Sequence, residues 1–150
     1  MELKLPPAFV FIFFGSFMYL LARFMPIGEF DFFGKNYLML ALCAAALLIG
    51  IISLVQFFAK KTSIDPRSPA KASKLVQNGL YAYSRNPMYL ALLLLLLAWG
   101  LWLENAFNTL LAAGFVAYMN RFQIIPEETF LLDKFGDVYK KYCIAVRRWF

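Results

Sequence analysis

The chain has 150 residues, 62% of them hydrophobic, against roughly 45–50% in an ordinary soluble domain, which excludes a water-soluble globule and points to a bilayer. The 15 lysines and arginines against 9 acids give a formal charge of +6, but they flank apolar runs instead of sharing one soluble face. Topology and anionic headgroups therefore account for them, and nucleic acid is not implied.

Four apolar runs approach the length of about 20 residues that a helical crossing needs: 6–25, 37–58, 88–103 and 106–122. They predict an all-α, polytopic integral membrane protein, a single membrane domain over 1–150. The first run is expected to be a permanent span and not a cleavable signal. Its leading region carries Glu2, Lys4 and two prolines, and no small-residue cleavage site follows closely. Cys43 falls in the middle of the second span and Cys143 near the end of the chain, so a disulfide is not expected and both read as structural thiols.

The connection between spans two and three holds Lys60, Lys61, Arg67, Lys71 and Lys74, and the tail holds Lys134, Lys140, Lys141, Arg147 and Arg148. The other side has only Arg23 and Lys35. Retention of positive charge on the cytoplasmic side predicts both termini inside, with Gly28–Lys35 and Glu104 outside. Within the long connection, Ser63–Ser73 contains Pro66 and Pro69 and reads as irregular, and Asn78-Gly79 marks a turn. Spans three and four are separated only by Glu104-Asn105, so they predict a tight antiparallel hairpin. After Pro126, apolar residues recur at helical spacing: Leu131, Phe135, Val138 or Tyr139, and Tyr142. One amphipathic C-terminal helix is expected, lying against the cytoplasmic face or folding over the spans as a lid.

Two polar clusters stand where a purely structural membrane protein has little use for them: Tyr83-Ser84-Arg85-Asn86-Pro87-Met88-Tyr89 and Pro126-Glu127-Glu128. Each has a structural explanation. Asn86 can cap a helix that starts at Pro87, and Arg85 can snorkel to headgroups. Pro126 with two glutamates suits the positive end of a helix dipole. Their combination is more telling, because the hairpin of spans three and four returns residue 127 to the same edge as residue 85. Arg121, at the end of span four, adds a cation where burial is costly; it can also pin the hairpin as an ion pair.

Histidine is absent, which removes the commonest general base, the commonest metal ligand and the serine and cysteine triads. There is no metal-ligand spacing, and no glycine-rich dinucleotide or phosphate loop. Chemistry that asks little proton transfer of the protein fits best. Methyl transfer from a sulfonium is such a reaction, because the donor carries its own activation and the protein need only bind, align and exclude water. An arginine, carboxylates and aromatic walls suit that donor.

The stretch Leu75-Val76-Gln77-Asn78-Gly79-Leu80-Tyr81-Ala82-Tyr83-Ser84-Arg85-Asn86-Pro87-Met88-Tyr89 carries a resemblance when taken with Asn120-Arg121-Phe122, Pro126-Glu127-Glu128, Leu131, Phe135-Gly136, Tyr139, Tyr142 and Val146-Arg147-Arg148. It resembles the isoprenylcysteine carboxyl methyltransferase family, which is related to the membrane phospholipid N-methyltransferases. The resemblance covers Leu75 to Trp149 and implies an S-adenosylmethionine-dependent methyltransferase with a lipid-side entrance for an apolar substrate. Carried over by position, Tyr83, Arg85, Asn86, Pro87 and Tyr89 match the family's Arg-His-Pro-x-Tyr region at the cofactor pocket, and Glu127 and Glu128 match its paired glutamates. The roles implied are Arg85 and Glu128 at the reacting end, with Glu127, Tyr89 and Arg121 on the cofactor.

Two positions depart from the pattern: Asn86 replaces histidine, and Ala91 stands where glycine is frequent. Asparagine keeps hydrogen bonding but cannot titrate near neutrality, which excludes a base role there. It also suggests the bacterial branch of the family and so a bacterial inner membrane. The methyl acceptor stays open among a carboxylate, an amine and a thiol on a lipophilic molecule. A non-catalytic lipid- or partner-binding protein on the same fold, and reduction of a lipophilic alkene with a nicotinamide cofactor, are the competing readings.

Overall fold

The computed structural model describes residues 5–26, 28–59 and 75–150; the segment Ser63–Ser73 lies outside the described residues. Those residues form helices and one isolated β-bridge. Helix α1 spans Pro7–Phe24, with proline at its first turn where the missing N–H costs nothing. Helix α2 spans Lys35–Ala59 and carries no charge after Lys35. A 3-10 turn, Gly79–Ala82, leads to α3, Pro87–Trp102. Helix α4, Asn108–Met119, passes through a π-helical turn, Asn120–Ile124, into α5, Ile125–Phe135, and α6 spans Asp137–Ala145.

Two helices, α1 and α2, are long and apolar enough to cross a membrane, while α3 is shorter. On α1 the residues Phe9, Ile12, Phe13, Phe17 and Leu20 are exposed, and on α2 so are Leu40, Leu47, Leu48, Ile51 and Val55. An apolar surface of this kind suits hydrocarbon and not water. The opposite face of α1 builds the core: Val10 and Met18 pack with Leu96 of α3 and with Phe115 and Met119 of α4. Close approach depends on small residues here. A Cβ placed on Gly100 would stand 3.1 Å from Met18 Cε, and one on Gly114 would stand 3.2 Å from Phe14.

At one end of the bundle the loop after α1 meets the loop after α3. Glu29 and Asn105 form the bridge, Phe30 N donates to Glu104 O at 3.0 Å and Ala106 N to Gly28 O at 2.9 Å. Lys35 joins them through ion pairs to Asp31, at 2.9 Å, and to Glu104. The expected hairpin is present, and its turn shares one end of the bundle with Gly28–Lys35, as the charge pattern requires.

The tail differs from the expectation in two ways. It is two helices and not one, broken at Gly136, whose φ of 53° and ψ of −128° fall where side-chain-bearing residues are strongly disfavoured. The first of them is no separate element either, because α4, the π turn and α5 run on without a gap. Pro126 cannot donate to a carbonyl four residues back. The wider turn relieves the ladder just ahead of it, with Ile125 N bonding Asn120 O, five residues back. One extra residue per turn rotates everything downstream by about 100°. The inward face thus passes from Ala112, Phe115 and Met119 to Glu127 and Leu131, where an unbroken α-helix would have presented Pro126 and Phe130. The tail then folds back as anticipated, with Tyr139, Tyr142 and Val146 packed on Leu75, Leu131 and Phe135. Val138 is exposed, which settles its alternation with Tyr139.

Candidate active site

Where α2, α3, α5 and α6 converge, they enclose a cavity of about 560 Å³, within the range of roughly 300–1,000 Å³ typical of small-molecule sites. Its polar end is lined by Arg85, Asn86, Tyr89, Glu127 and Glu128, with Tyr81, Tyr139 and Tyr142 as walls. From there it continues between α2 and α3 as an apolar limb.

Arg85 sits just before α3 and is held from several sides. Its backbone N donates to Arg147 O at 2.9 Å. Its Nη1 lies 3.0 Å from Glu128 Oε1 and donates to Cys143 Sγ at 2.6 Å. Its buried Nε has no hydrogen-bond partner among the described residues. A buried guanidinium N–H left over is an unfilled valence of the site, since such donors are normally satisfied. Glu128 is shared: Arg148 grips it in a bidentate pair, Nε to Oε1 at 3.0 Å and Nη2 to Oε2 at 2.8 Å.

Glu127 has a different environment. Its Oε1 accepts from Tyr89 Oη at 2.6 Å, and burial pushes its carboxyl up to about 8, with the Glu128 charge adding to the rise and the Tyr89 bond opposing it. The two adjacent glutamates therefore sit in different settings: Glu128 is ion-paired to two arginines, and Glu127 is able to hold a proton at neutral pH. Burial also lifts the Tyr81, Tyr139 and Tyr142 hydroxyls well above the ordinary range, so these walls stay neutral.

Six of the eight residues expected from the sequence line this cavity: Arg85, Asn86, Pro87, Tyr89, Glu127 and Glu128. Tyr83 and Arg121 do not. The Tyr83 side chain is 80% exposed on the outer side of its turn. Arg121 is exposed, two residues past the inward-facing Met119 and so on the opposite side of the helix, with its guanidinium 5.8 Å from the Phe122 ring centre; it is not the buried cation that its place in an apolar run suggests. Asn86 provides no helix cap. Its amide Nδ2 donates instead to Arg148 O at 3.0 Å, and Ser84 Oγ donates to the same carbonyl at 3.3 Å. Trp149 Nε1 donates to Asn120 Oδ1 at 3.0 Å.

Arg148, Cys143 and the α2 wall escaped sequence reasoning as site residues. Arg148 looked like one more basic residue of the tail, and Cys143 like a buried thiol. On the α2 wall Ala46 and Gly50 stand one turn apart, but Ala41, Ala44, Ala45 and Ser53 are small as well, so the pair did not stand out.

Fold and site define a helical membrane protein with a polar chamber at one end of its bundle. The phospholipid methyltransferase family matches residues 35–138, more than half of the chain, and the chain belongs to that family, which unites the isoprenylcysteine and phospholipid methyltransferases. An uncharacterized protein of Haemophilus influenzae is 55% identical over 62 residues, which are 41% of this chain and 98% of that relative. No solved structure matches.

Proposed function

We propose that this protein is a membrane-embedded, S-adenosylmethionine-dependent methyltransferase acting on a lipophilic acceptor. The observation that carries the reading is one continuous cavity with a charged, tyrosine-walled chamber at one end and an apolar limb at the other. The chamber's donors and acceptors fit the cofactor. The free Nε of Arg85 suits a carboxylate, Glu127 and Glu128 suit an ammonium, and the faces of Tyr81, Tyr89, Tyr139 and Tyr142 suit a sulfonium and an adenine.

When bound, a sulfonium nucleotide supplies a methyl group already activated by its positive charge. The protein's own work is then alignment and exclusion of water. Arg148 and Arg85 fix Glu128 from two sides, so that carboxylate cannot swing. The residues Arg147 to Trp149 are tied to Arg85, Ser84, Asn86 and Asn120, and so fasten the end of the tail to residues around the chamber. Once ionised, Glu127 can take the proton that an amine or thiol acceptor sheds, so that step strengthens as pH rises toward 8; a carboxylate acceptor needs no such step. Tyr83 and Arg121 have no part in this reading.

Calorimetry of the purified protein with S-adenosylmethionine, and separately with a reduced nicotinamide, tests it. Binding of the first alone is expected. Arg85→Ala and Glu128→Gln should each weaken it by about tenfold or more, the cost of a charge-assisted hydrogen bond of roughly 1.5–3 kcal/mol. Affinity within twofold of the unsubstituted protein in both variants refutes the site assignment. Incubation with a deuterated donor and a lipid extract, followed by mass spectrometry, identifies the acceptor.

A further inference from the structure

We propose that Trp149 is a positioning residue of the chamber: it pegs the end of the tail to the π turn and thereby holds Arg148, whose carbonyl serves the first polar cluster and whose guanidinium serves the second. The peg stands on geometry alone, and only its value to methyl transfer rests on the methyltransferase reading.

Helix α6 ends at Ala145, and Val146 is extended, with φ −126° and ψ 133°. Beyond the helix the backbone carbonyls are free to serve other elements. Arg147 O takes the Arg85 backbone N–H at 2.9 Å. Arg148 O takes two donors from the same stretch, Asn86 Nδ2 at 3.0 Å and Ser84 Oγ at 3.3 Å. The Arg148 side chain reaches the other way and holds Glu128 through Nε, at 3.0 Å, and Nη2, at 2.8 Å. One residue thus joins two clusters that the chain keeps far apart. Neither Arg148 nor Trp149 lines the cavity, so their effect on its contents passes through Arg85, Asn86 and Glu128, which do.

An irregular segment stays seated only where something offsets the backbone entropy of ordering it. Two side chains do so here. Val146 is buried in the cluster of Tyr139 and Tyr142. Trp149 packs against the core cluster that contains Phe115, Met119 and Ile124, and its Nε1 donates to Asn120 Oδ1 at 3.0 Å. An indole N–H can only donate, and at the edge of a membrane protein it commonly finds its acceptor among headgroups. This one turns inward instead. Arg147 and Arg148 are therefore held between two pegs.

The second peg enters at a consequential place. The carbonyl of Asn120 accepts Ile125 N within the π turn, and that turn sets the face on which Glu127 is presented. The indole couples the tail to the turn that aims the glutamates, and Arg148 closes the circuit by gripping Glu128.

Hydrogen–deuterium exchange of the purified protein in detergent, resolved to single amides, tests the role at Arg85 N, which exchanges only when released from Arg147 O. Trp149→Phe keeps a ring on the core and removes the donor, and Asn120→Leu removes the acceptor. Each should raise the opening constant at Arg85 N about fivefold, the worth of one neutral hydrogen bond. The double variant should raise it no further, because both changes take away the same bond. The amide of Leu96, in the core of α3, is the control and should not change. Unaltered exchange at Arg85 N, or a rise shared equally by Leu96, overturns the positioning role. Should Trp149→Phe fail to fold, Asn120→Leu decides alone.

A second arm carries the link to the chamber. If Arg148 holds the groups that bind S-adenosylmethionine, the bound donor must in turn hold Arg148. At a hundred times its dissociation constant it should slow opening at Arg85 N by about a hundredfold. Bound donor with no added protection there overturns the link between tail and chamber. Absence of donor binding by calorimetry removes the methyltransferase reading instead, and the two variants still decide the peg.

Discussion

Glu127→Gln gives the most direct access to the chamber's electrostatics. The carboxyl has an ordinary value of 4.5 and is pushed to about 8 by burial. Between those values the folded protein holds a proton that the unfolded chain releases, so the folded state is favoured at low pH and loses that advantage as pH rises through 8. A rise of between three and four units corresponds to on the order of 4 kcal/mol across this window, at about 1.4 kcal/mol per unit. For a chain of this size that is a fall in Tm of roughly 8–15 °C between pH 5 and pH 9. The amide variant cannot titrate, while its side-chain oxygen still accepts from Tyr89 Oη. Thermal unfolding in detergent, followed from pH 5 to 9 for both proteins, should show curves that cross: the glutamate form is the more stable at pH 5 and the glutamine form at pH 9. Parallel curves would mean that Glu127 stays solvated and charged, and the reasoning about this half of the glutamate pair would be wrong.

The other glutamate should behave asymmetrically with its two partners. Glu128→Gln strands Arg85, whose side chain is 11% exposed, and should cost about 3 kcal/mol, or roughly 6–12 °C in Tm. Arg148→Met removes a partner that is 39% exposed while Arg85 still neutralises the carboxylate, and should cost no more than about 1 kcal/mol; equal losses in the two variants would contradict the pairing. Gly79→Ala should be strongly destabilising, because its φ is +67° and a Cβ there would come within 1.9 Å of Gln56 Nε2. Combining it with Gln56→Ala, read by the same melting curves, should recover the steric part of the loss and leave the roughly 1 kcal/mol of backbone strain.

The clusters around Arg85 and the glutamate pair were legible because unusual residues sat at the edges of apolar runs, and antiparallel connectivity alone carries them to the same end. The hairpin and the joining of the two loops at the far end were legible for the same reason. The inward face of α5 was not, because the register beyond Met119 depends on a π turn. A Pro126 taken as the start of a new helix conceals the continuous ladder that carries Glu127 and Glu128 into the chamber. Arg121 was misplaced for a different reason: two residues past Met119 it falls on the face opposite the core, which its place at the end of an apolar run does not reveal. Asn86 was expected at a helix start on local grounds, and a carbonyl 62 residues away proved to be its partner. Neither propensity nor periodicity holds information at that separation, and the same is true of the contact between Arg85 and Cys143.

The unbroken rod from Asn108 to Phe135 has a mechanical meaning. Its lower end is seated beside the Lys35 clasp, and about 28 Å further along, at 1.5 Å per residue, it delivers Glu127. A thinner or thicker bilayer tilts such a helix. A pivot of a few degrees at the clasp is levered into a displacement of more than an ångström at the carboxylates. Lipid composition should therefore tune how tightly the chamber grips its contents, with no effector site required.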